Sequence, residues 1–226
     1  MSRMFQPHLE ILPPTQQRLW PALRSAADLG FVLFGGTAIA LRLGHRASVD
    51  FDFFSENPLD RDAIRAAFPF VARSTTRNDE RNTWVLDVPS AASEPNHVQV
   101  AFFGTLEFGR VGEPEFTEDR VMQVATLDDL MASKLKVVLP RTEAKDYRDV
   151  ARMLGAGVSL SRGLASARLM YGPNFQPSES LKALVYFNDG DLNTLTTEER
   201  KTLVDAARNV RDLPDVALLS TRLSAR

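Results

Sequence analysis

With 226 residues, 44% of them apolar, the chain carries enough hydrophobic material for one substantial core or two small ones. A formal net charge of −2 and a pI near 6.0 argue against wholesale nonspecific binding to nucleic acid, while leaving room for a local basic patch that recruits RNA or DNA. The lack of cysteine excludes a disulfide framework, a thiolate metal site and a thiol nucleophile, which suits the cytoplasm.

The N-terminal stretch MSRMFQPHLEILPPTQQ has no long apolar segment of the signal-peptide kind. No later run approaches the roughly 20 apolar residues of a membrane span. A soluble, untargeted protein is expected. Pro14-Thr15 opens a helix carrying Leu19, Trp20, Leu23 and Ala27, which ends near Gly30 and is kinked at Pro21. The apolar strand Phe31 to Phe34 follows, then Gly35-Gly36-Thr37 and the buried helical pattern of Ala38, Ile39, Ala40, Leu41 and Leu43. Glycines at a strand-to-helix turn let a ligand approach the backbone. The free N–H groups of the first helical turn and the Thr37 hydroxyl would then point at the ligand, whose natural form is a phosphate.

In Val49-Asp50-Phe51-Asp52-Phe53-Phe54, alternation puts Val49, Phe51 and Phe53 on one face and Asp50 and Asp52 on the other. Two carboxylates on one strand face repel and favour a neutralising cation. Magnesium, held by these carboxylates and by the oxygens of a nucleotide's phosphates, answers that need. Each motif alone is common in structural roles. Their order, glycine turn, helix, then paired aspartates, is what points to a cation and a polyphosphate.

Asp60 to Phe68 reads as a short helix with Ile64, Ala67 and Phe68 inward. Thr83 to Val88 and Asn96 to Phe103 read as an antiparallel strand pair joined by the loop Pro89 to Pro95. The Gly, Glu and Pro-rich stretch from Gly109 to Glu118 marks a domain boundary, which gives domains over 1–115 and 116–226. Thr126 caps a helix that runs to about Leu139, with an acid three residues on. Leu127, Leu130, Met131, Lys134, Leu135 and Val138 share one of its faces. Lys134 in that stripe must either snorkel outward or meet an anion, the candidates being nucleotide phosphates or the paired aspartates. A helix from near Thr142 to Gly155 turns Tyr147, Val150, Ala151 and Leu154 inward, and its flank of Lys145, Asp146, Arg148 and Asp149 has the pattern of a solvated surface. Helices are expected over Leu160 to Tyr171, Ser178 to Val185, Thr197 to Val210 and Leu213 to Leu223, with cap-like Ser159 and Thr197. The turn Tyr186 to Asp191 is expected to place its aromatics in the core.

GGTAIAL at Gly35 to Leu41, GHRASVDFDFF at Gly44 to Phe54, DLMASKLKVVLPRTEAKDYRDVARML at Asp129 to Leu154 and LVYFNDGD at Leu184 to Asp191 together resemble the AbiEii/AbiGii toxin family of nucleotidyltransferases, a branch of the DNA polymerase β-like superfamily. The resemblance implies an α+β fold: a polymerase β-like mixed sheet flanked by helices over 1–115 and a helical domain over 116–226. It implies transfer of a nucleoside monophosphate from an NTP to an RNA end, tRNA included, or to a protein hydroxyl, with Mg2+ as cofactor and a cognate antitoxin as partner. The residues it marks as catalytic are Asp50, Asp52, Lys134 and Asp146, with Asp146 as general base. Asp50 and Asp52 would bind the metal. Gly35, Gly36, Thr37, Arg46, Ser48 and Lys145 fall on the nucleotide side, and His45 next to Arg46 would position a phosphate or cap the preceding helix. The chain departs from the fullest superfamily pattern where a third carboxylate is expected, because Gln99 and Ala101 occupy the slot; Asp87 on the neighbouring strand is either a substitute or an ordinary strand residue. That gap sustains an alternative, a transferase fold with a weakened site that serves as a nucleotide-binding or regulatory module. A phosphate-ester hydrolase lacks support, since His8, His45 and His97 show no ligand spacing.

Overall fold

The computed structural model describes residues 3–89 and 97–225. It divides into two compact units: Met1–Gly109, Glu113–Ala125 and Ser220–Arg226 form one, and Arg110–Gly112 with Thr126–Leu219 form the other.

The first unit is built on an eight-stranded mixed sheet. Its strands are Met4–Phe5 (β1), Val32–Phe34 (β2), Asp50–Phe54 (β3), Thr75–Glu80 (β4), Thr83–Val88 (β5), Val98–Phe103 (β6), Glu115–Thr117 (β7) and Gln123–Val124 (β8), in the order β1-β7-β8-β2-β3-β6-β5-β4. The pairs β1·β7, β2·β8 and β3·β6 are parallel and the rest antiparallel. Three helices accompany the sheet: Pro14–Leu19 (α1), Gly35–Leu43 (α2) and Arg61–Ala67 (α3). The long first helix expected from the pattern stops at Leu19 and tightens into a 3-10 turn over Trp20–Ala26. Pro21 lacks the N–H that would continue an α-helical ladder. Leu23 and Ala26, not Ala27, turn into the core.

Alternation along β3, β5 and β6 brings Phe51, Phe53, Leu86, Trp84, Val100 and Phe102 to one buried face. Phe53 stacks on Phe102 at 5.5 Å between centroids, and Phe31 and Phe68 close on the same ring at 5.2 and 5.5 Å. Val49 departs from the expected alternation. It is 55% exposed, and the strand begins one residue later at Asp50. The β5·β6 pairing is antiparallel as expected; Asn96 and residues 90–95 of the expected loop lie outside the described residues.

The second unit is helical: Leu127–Val137 (α4), Ala144–Gly155 (α5), Leu160–Tyr171 (α6), Pro177–Leu184 (α7) and Thr197–Asn209 (α8). Thr126 caps α4 as expected, its hydroxyl accepting from the Asp129 N–H at 3.3 Å. The buried Asp129 carboxylate in turn accepts from the N–H groups of Val111 at 2.8 Å and Gly112 at 3.2 Å, which stitches residues 110–112 to the start of α4. Burial pushes this carboxyl above the ordinary aspartate value, against the opposing pull of those hydrogen bonds. For α8 the cap is Thr196 and not Thr197: Thr196 and Glu199 form a reciprocal capping box.

Two expectations fail here for tertiary reasons. No helix forms over 213–223; instead Leu223 is buried and its N–H donates to Glu56 Oε2 at 3.1 Å, so docking of the tail overrides a local helical pattern. Tyr186 is 49% exposed, not core, because its turn is held by backbone and carboxylate contacts. Strands β7, which begins at Glu115, and β8 also pair into the sheet. In the Tyr186 to Asp191 turn, Asp191 Oδ1 accepts from the Ala144 N–H at 2.6 Å, and so caps the first turn of α5 from 47 residues away. Asp191→Ala should lower the stability of the helical unit by about 1 kcal/mol, the usual worth of a helix cap, read as a shift of the urea midpoint at constant slope.

Candidate functional site

Asp50 and Asp52 are half-buried on the face of β3 opposite Phe51 and Phe53. Strand β2 lies antiparallel alongside with Phe34 in register with Asp52, so the first residue of α2, Gly35, arrives at the Asp52 side chain. Gly35 has φ +75°, a left-handed conformation that side chains rarely adopt. A Cβ there would collide with Asp52 Oδ2 and stand 3.2 Å from Cγ. The glycine therefore clears space for an aspartate at the mouth of a helix. Gly35→Ala should cost about 1–2 kcal/mol from backbone strain alone and also push the Asp52 carboxylate aside. The check is a thermal melt with and without magnesium and nucleotide, in which the variant loses ligand-induced stabilisation.

The Thr37 hydroxyl has a different role from the one its sequence position suggests. Its side chain is buried, donates to the Asp50 carbonyl oxygen and accepts from the Ser48 hydroxyl at 2.8 Å. A carbonyl can only accept, which fixes that donor direction. Thr37 and the buried Ser48 thus tie the first turn of α2 to the start of β3 and hold glycine turn and aspartates in one geometry. No side chain caps α2. At its start the first-turn N–H groups, those of Gly36 and Thr37 among them, have no partner inside the helix. At its far end Gly44, φ +60°, closes the helix with its N–H on the Ala40 carbonyl, and Arg46 donates to the Ala47 carbonyl at 3.0 Å.

Register settles what stands beside the aspartates. On β6, Gln99 lies opposite Asp50 and Ala101 opposite Asp52; one strand farther, Asp87 lies opposite Gln99. Asp87 is two strand spacings from Asp50, about 9.6 Å between α-carbons, and its carboxylate is paired with Arg77 at 3.0 Å. Among the described residues no group of three His, Cys, Asp or Glu is placed to hold a metal ion. Two carboxylates do fit magnesium, which keeps several waters and takes its remaining oxygens from substrate phosphates. Carboxylates on one face, beside a helix start with no side-chain cap, form a donor set of that kind.

In the helical unit, Lys134 is only 6% exposed and meets its anions locally. Its Nζ lies 2.5 Å from Asp146 Oδ1 and 2.8 Å from Asp149 Oδ2, both carboxylates being fully buried. Arg141 completes the cluster, its Nε donating to Asp146 Oδ2 at 2.8 Å and its Nη2 to Oδ1 at 3.1 Å. Burial alone would raise the Asp146 pKa, but the Arg141 bonds and the Lys134 charge outweigh it and hold the carboxyl below the ordinary range. A carboxylate bonded at both oxygens and held in this way is a poor proton acceptor, which argues against the general-base role expected for it. The flank read as solvated is therefore half interior. Lys145 does lie outside, paired with Glu143 at 2.9 Å. Arg141 escaped the sequence reading and Asp149 was read there only as part of a solvated flank, although the i, i+3 spacing of Asp146 and Asp149 beneath a lysine in an apolar stripe was a usable signal.

A family model described as nucleotidyl transferase AbiEii toxin, type IV TA system, matches residues 18–219. An uncharacterized protein of Aquifex aeolicus is 28% identical over 175 residues, 74% of this chain and 81% of that one. The crystal structure of a candidate nucleotidyltransferase from H. pylori superposes with a TM-score of 0.57 at 19% identity, covering 86% of this chain and 92% of that one. An antigenic nucleotidyltransferase-like protein from Paracoccidioides brasiliensis gives 0.52 at 14% identity over 88% and 94%. These two likenesses concern the fold, which is α+β with a mixed sheet of the nucleotidyltransferase kind. The family match spans nearly the whole chain and takes in both the glycine turn with its aspartates and the buried lysine cluster: the chain belongs to the AbiEii family of nucleotidyltransferase toxins.

Proposed function

We propose that this chain transfers a nucleoside monophosphate from an NTP to a hydroxyl of RNA, tRNA included, or of protein, in a magnesium-dependent reaction. The observation that carries the reading is the approach of Asp52 to the missing side chain of Gly35, which brings two carboxylates and a helix N-terminus together. The first-turn amides at Gly36 and Thr37 would hold phosphate oxygens, and Arg46 lies in the segment between α2 and β3 that borders them. Asp50 and Asp52 would hold magnesium, whose contribution is to neutralise phosphate charge and align the attacking and leaving oxygens. Thr37 and Ser48 keep the two halves in register from beneath.

Lys134, which the family resemblance marks as catalytic, carries in the helical unit a positive charge that Asp146 and Asp149 hold in place, with Arg141 on Asp146. Lys145, exposed, is a contact for phosphate or partner. As a toxin-type chain it is paired in this reading with a cognate antitoxin and works in the cytoplasm; among the described residues no helix is long and apolar enough to cross a membrane.

The test is incubation with labelled ATP, CTP, GTP and UTP, magnesium and total RNA, followed by detection of label on RNA or protein. Label that appears with magnesium and vanishes with chelator is expected. A second reading, a nucleotide-binding module with a weakened site, draws on Ala101 standing where a third carboxylate would face Asp52. Metal-dependent binding of NTP in a calorimeter with no transfer to any acceptor would favour it.

A further inference from the structure

The aspartate face of the sheet carries a second row of polar groups. Asp50 stands beside Gln99 and Gln99 beside Asp87, and residues directly opposite on paired strands project the same way. Arg77 on β4 gathers this row. Its Nε donates to Asp87 Oδ2, its Nη1 to Gln99 Oε1 and its Nη2 to His97 Nε2, each at 3.1 Å. His97, immediately before β6, also turns Nε2 toward Asp87 Oδ1 at 3.4 Å. That carboxylate oxygen is buried and has no hydrogen-bond partner.

One ring nitrogen cannot serve both neighbours at once. While Nε2 accepts from Arg77, a neutral ring carries its proton on Nδ1. When Nε2 carries the proton, it can be donated to Asp87 Oδ1, supplying the donor that oxygen lacks and leaving the Nδ1 lone pair for a proton from outside. An imidazolium would have both protons, with Asp87 opposite the new charge. The charged groups facing the ring are Arg77 from β4 and Asp87 from β5, and half of the His97 side chain is exposed.

Resting on the transfer reading above, we infer that His97 is the general base for the acceptor hydroxyl, positioned by Asp87 once its Nε2 turns from Arg77 to that carboxylate, in place of the carboxylate that β6 lacks at Gln99 and Ala101. Its α-carbon is one strand spacing and two residues from that of Asp50, roughly 8 Å, which leaves room for a hydroxyl between ring and phosphorus. From the tautomer with Nε2 protonated and donated to Asp87 Oδ1, the hydroxyl gives its proton to the free Nδ1 lone pair and its oxygen bonds to the α-phosphorus. The bond from that phosphorus to the bridging oxygen breaks, pyrophosphate leaves with the electron pair, and His97 passes the proton to solvent.

The full-length chain tests this with labelled NTP, magnesium and total RNA. His97→Ala should slow label transfer by about 10²-fold or more while calorimetric affinity for magnesium–NTP holds, and added imidazole should restore part of the rate. Nitrogen spectra of the histidine-labelled protein read the geometry separately: the wild type shows a fraction of neutral His97 protonated at Nε2, which Arg77→Ala enlarges and Asp87→Ala abolishes. A His97→Ala chain as fast as wild type, beside an inert Asp52→Ala, overturns the base and leaves the transferase standing. Unchanged rates in both variants, or a wild type inert on every acceptor, overturn the transfer reading and the base with it. Slower transfer with weakened nucleotide affinity and no imidazole rescue makes His97 a binding residue and also overturns the base.

Discussion

Asp52→Ala is expected to abolish magnesium-dependent nucleotidyl transfer, by a factor of at least about 10²–10³, while leaving the fold intact. Removing one preorganised charge-stabilising group from an active site has effects of that size, and here the same group also helps hold the ion. The fold should survive for reasons visible in the geometry. Phe51 and Phe53, which anchor β3 in the core, point the other way. The pairing of β3 with β2 and β6 uses backbone groups that the substitution leaves alone. Removing one of two like charges on a strand face also relieves a repulsion. Without ligand, the melting temperature of Asp52→Ala should therefore stay close to that of the wild type. Saturating magnesium and NTP should separate them: a ligand at about 100 times its Kd stabilises the wild type by about 2.7 kcal/mol, and the variant should gain little. Transfer at the wild-type rate by Asp52→Ala would sink the proposed function.

What made this part of the molecule legible in the sequence is that its determinants are local. Gly35 and Asp52 are brought together by two short strands and one helix, and the face of each aspartate follows from a two-residue period. The direction of the Thr37 hydroxyl was not legible, because nothing in the helix pattern says that Ser48 and the Asp50 carbonyl lie beneath it. Strand β4, reading TTRNDE, shows no apolar alternation. It is an exposed edge whose only reason to be extended is its partner β5, and its polar side chains suit an edge that must not recruit another chain. The two-residue strands β1 and β8 likewise exist only through their partners. Burial of Asp146 and Asp149 was hidden for a related reason: a charged helix flank looks solvated until the ammonium of another helix is known to face it.

That buried cluster predicts the largest stability effect in the chain. Lys134→Met should destabilise the helical unit by about 3–5 kcal/mol, since it removes the cation from between two fully buried carboxylates and leaves their charges with less compensation. The size of the methionine is close to that of the lysine stem, so packing changes little and the loss reports electrostatics. The pH dependence carries the sign. With its folded pKa below the ordinary value, Asp146 contributes stability that is fully present above about pH 4, where the unfolded carboxyl is ionised, and lost as pH falls through the folded value. Asp129, raised by burial, works in the opposite sense: as pH falls through its folded value toward the ordinary one, its protonation favours the fold. In Lys134→Met the Asp146 carboxyl loses one of the two cations that hold it down, so its folded pKa rises and the acid-sensitive limb of the stability curve moves to higher pH or disappears. Urea midpoints taken between pH 3 and pH 7 would show this as a gap between wild type and variant that is widest at neutral pH and narrows with acid. A gap independent of pH would mean that Lys134 stabilises through its stem alone, and the buried pair would have to be reread as electrostatically neutral to the fold.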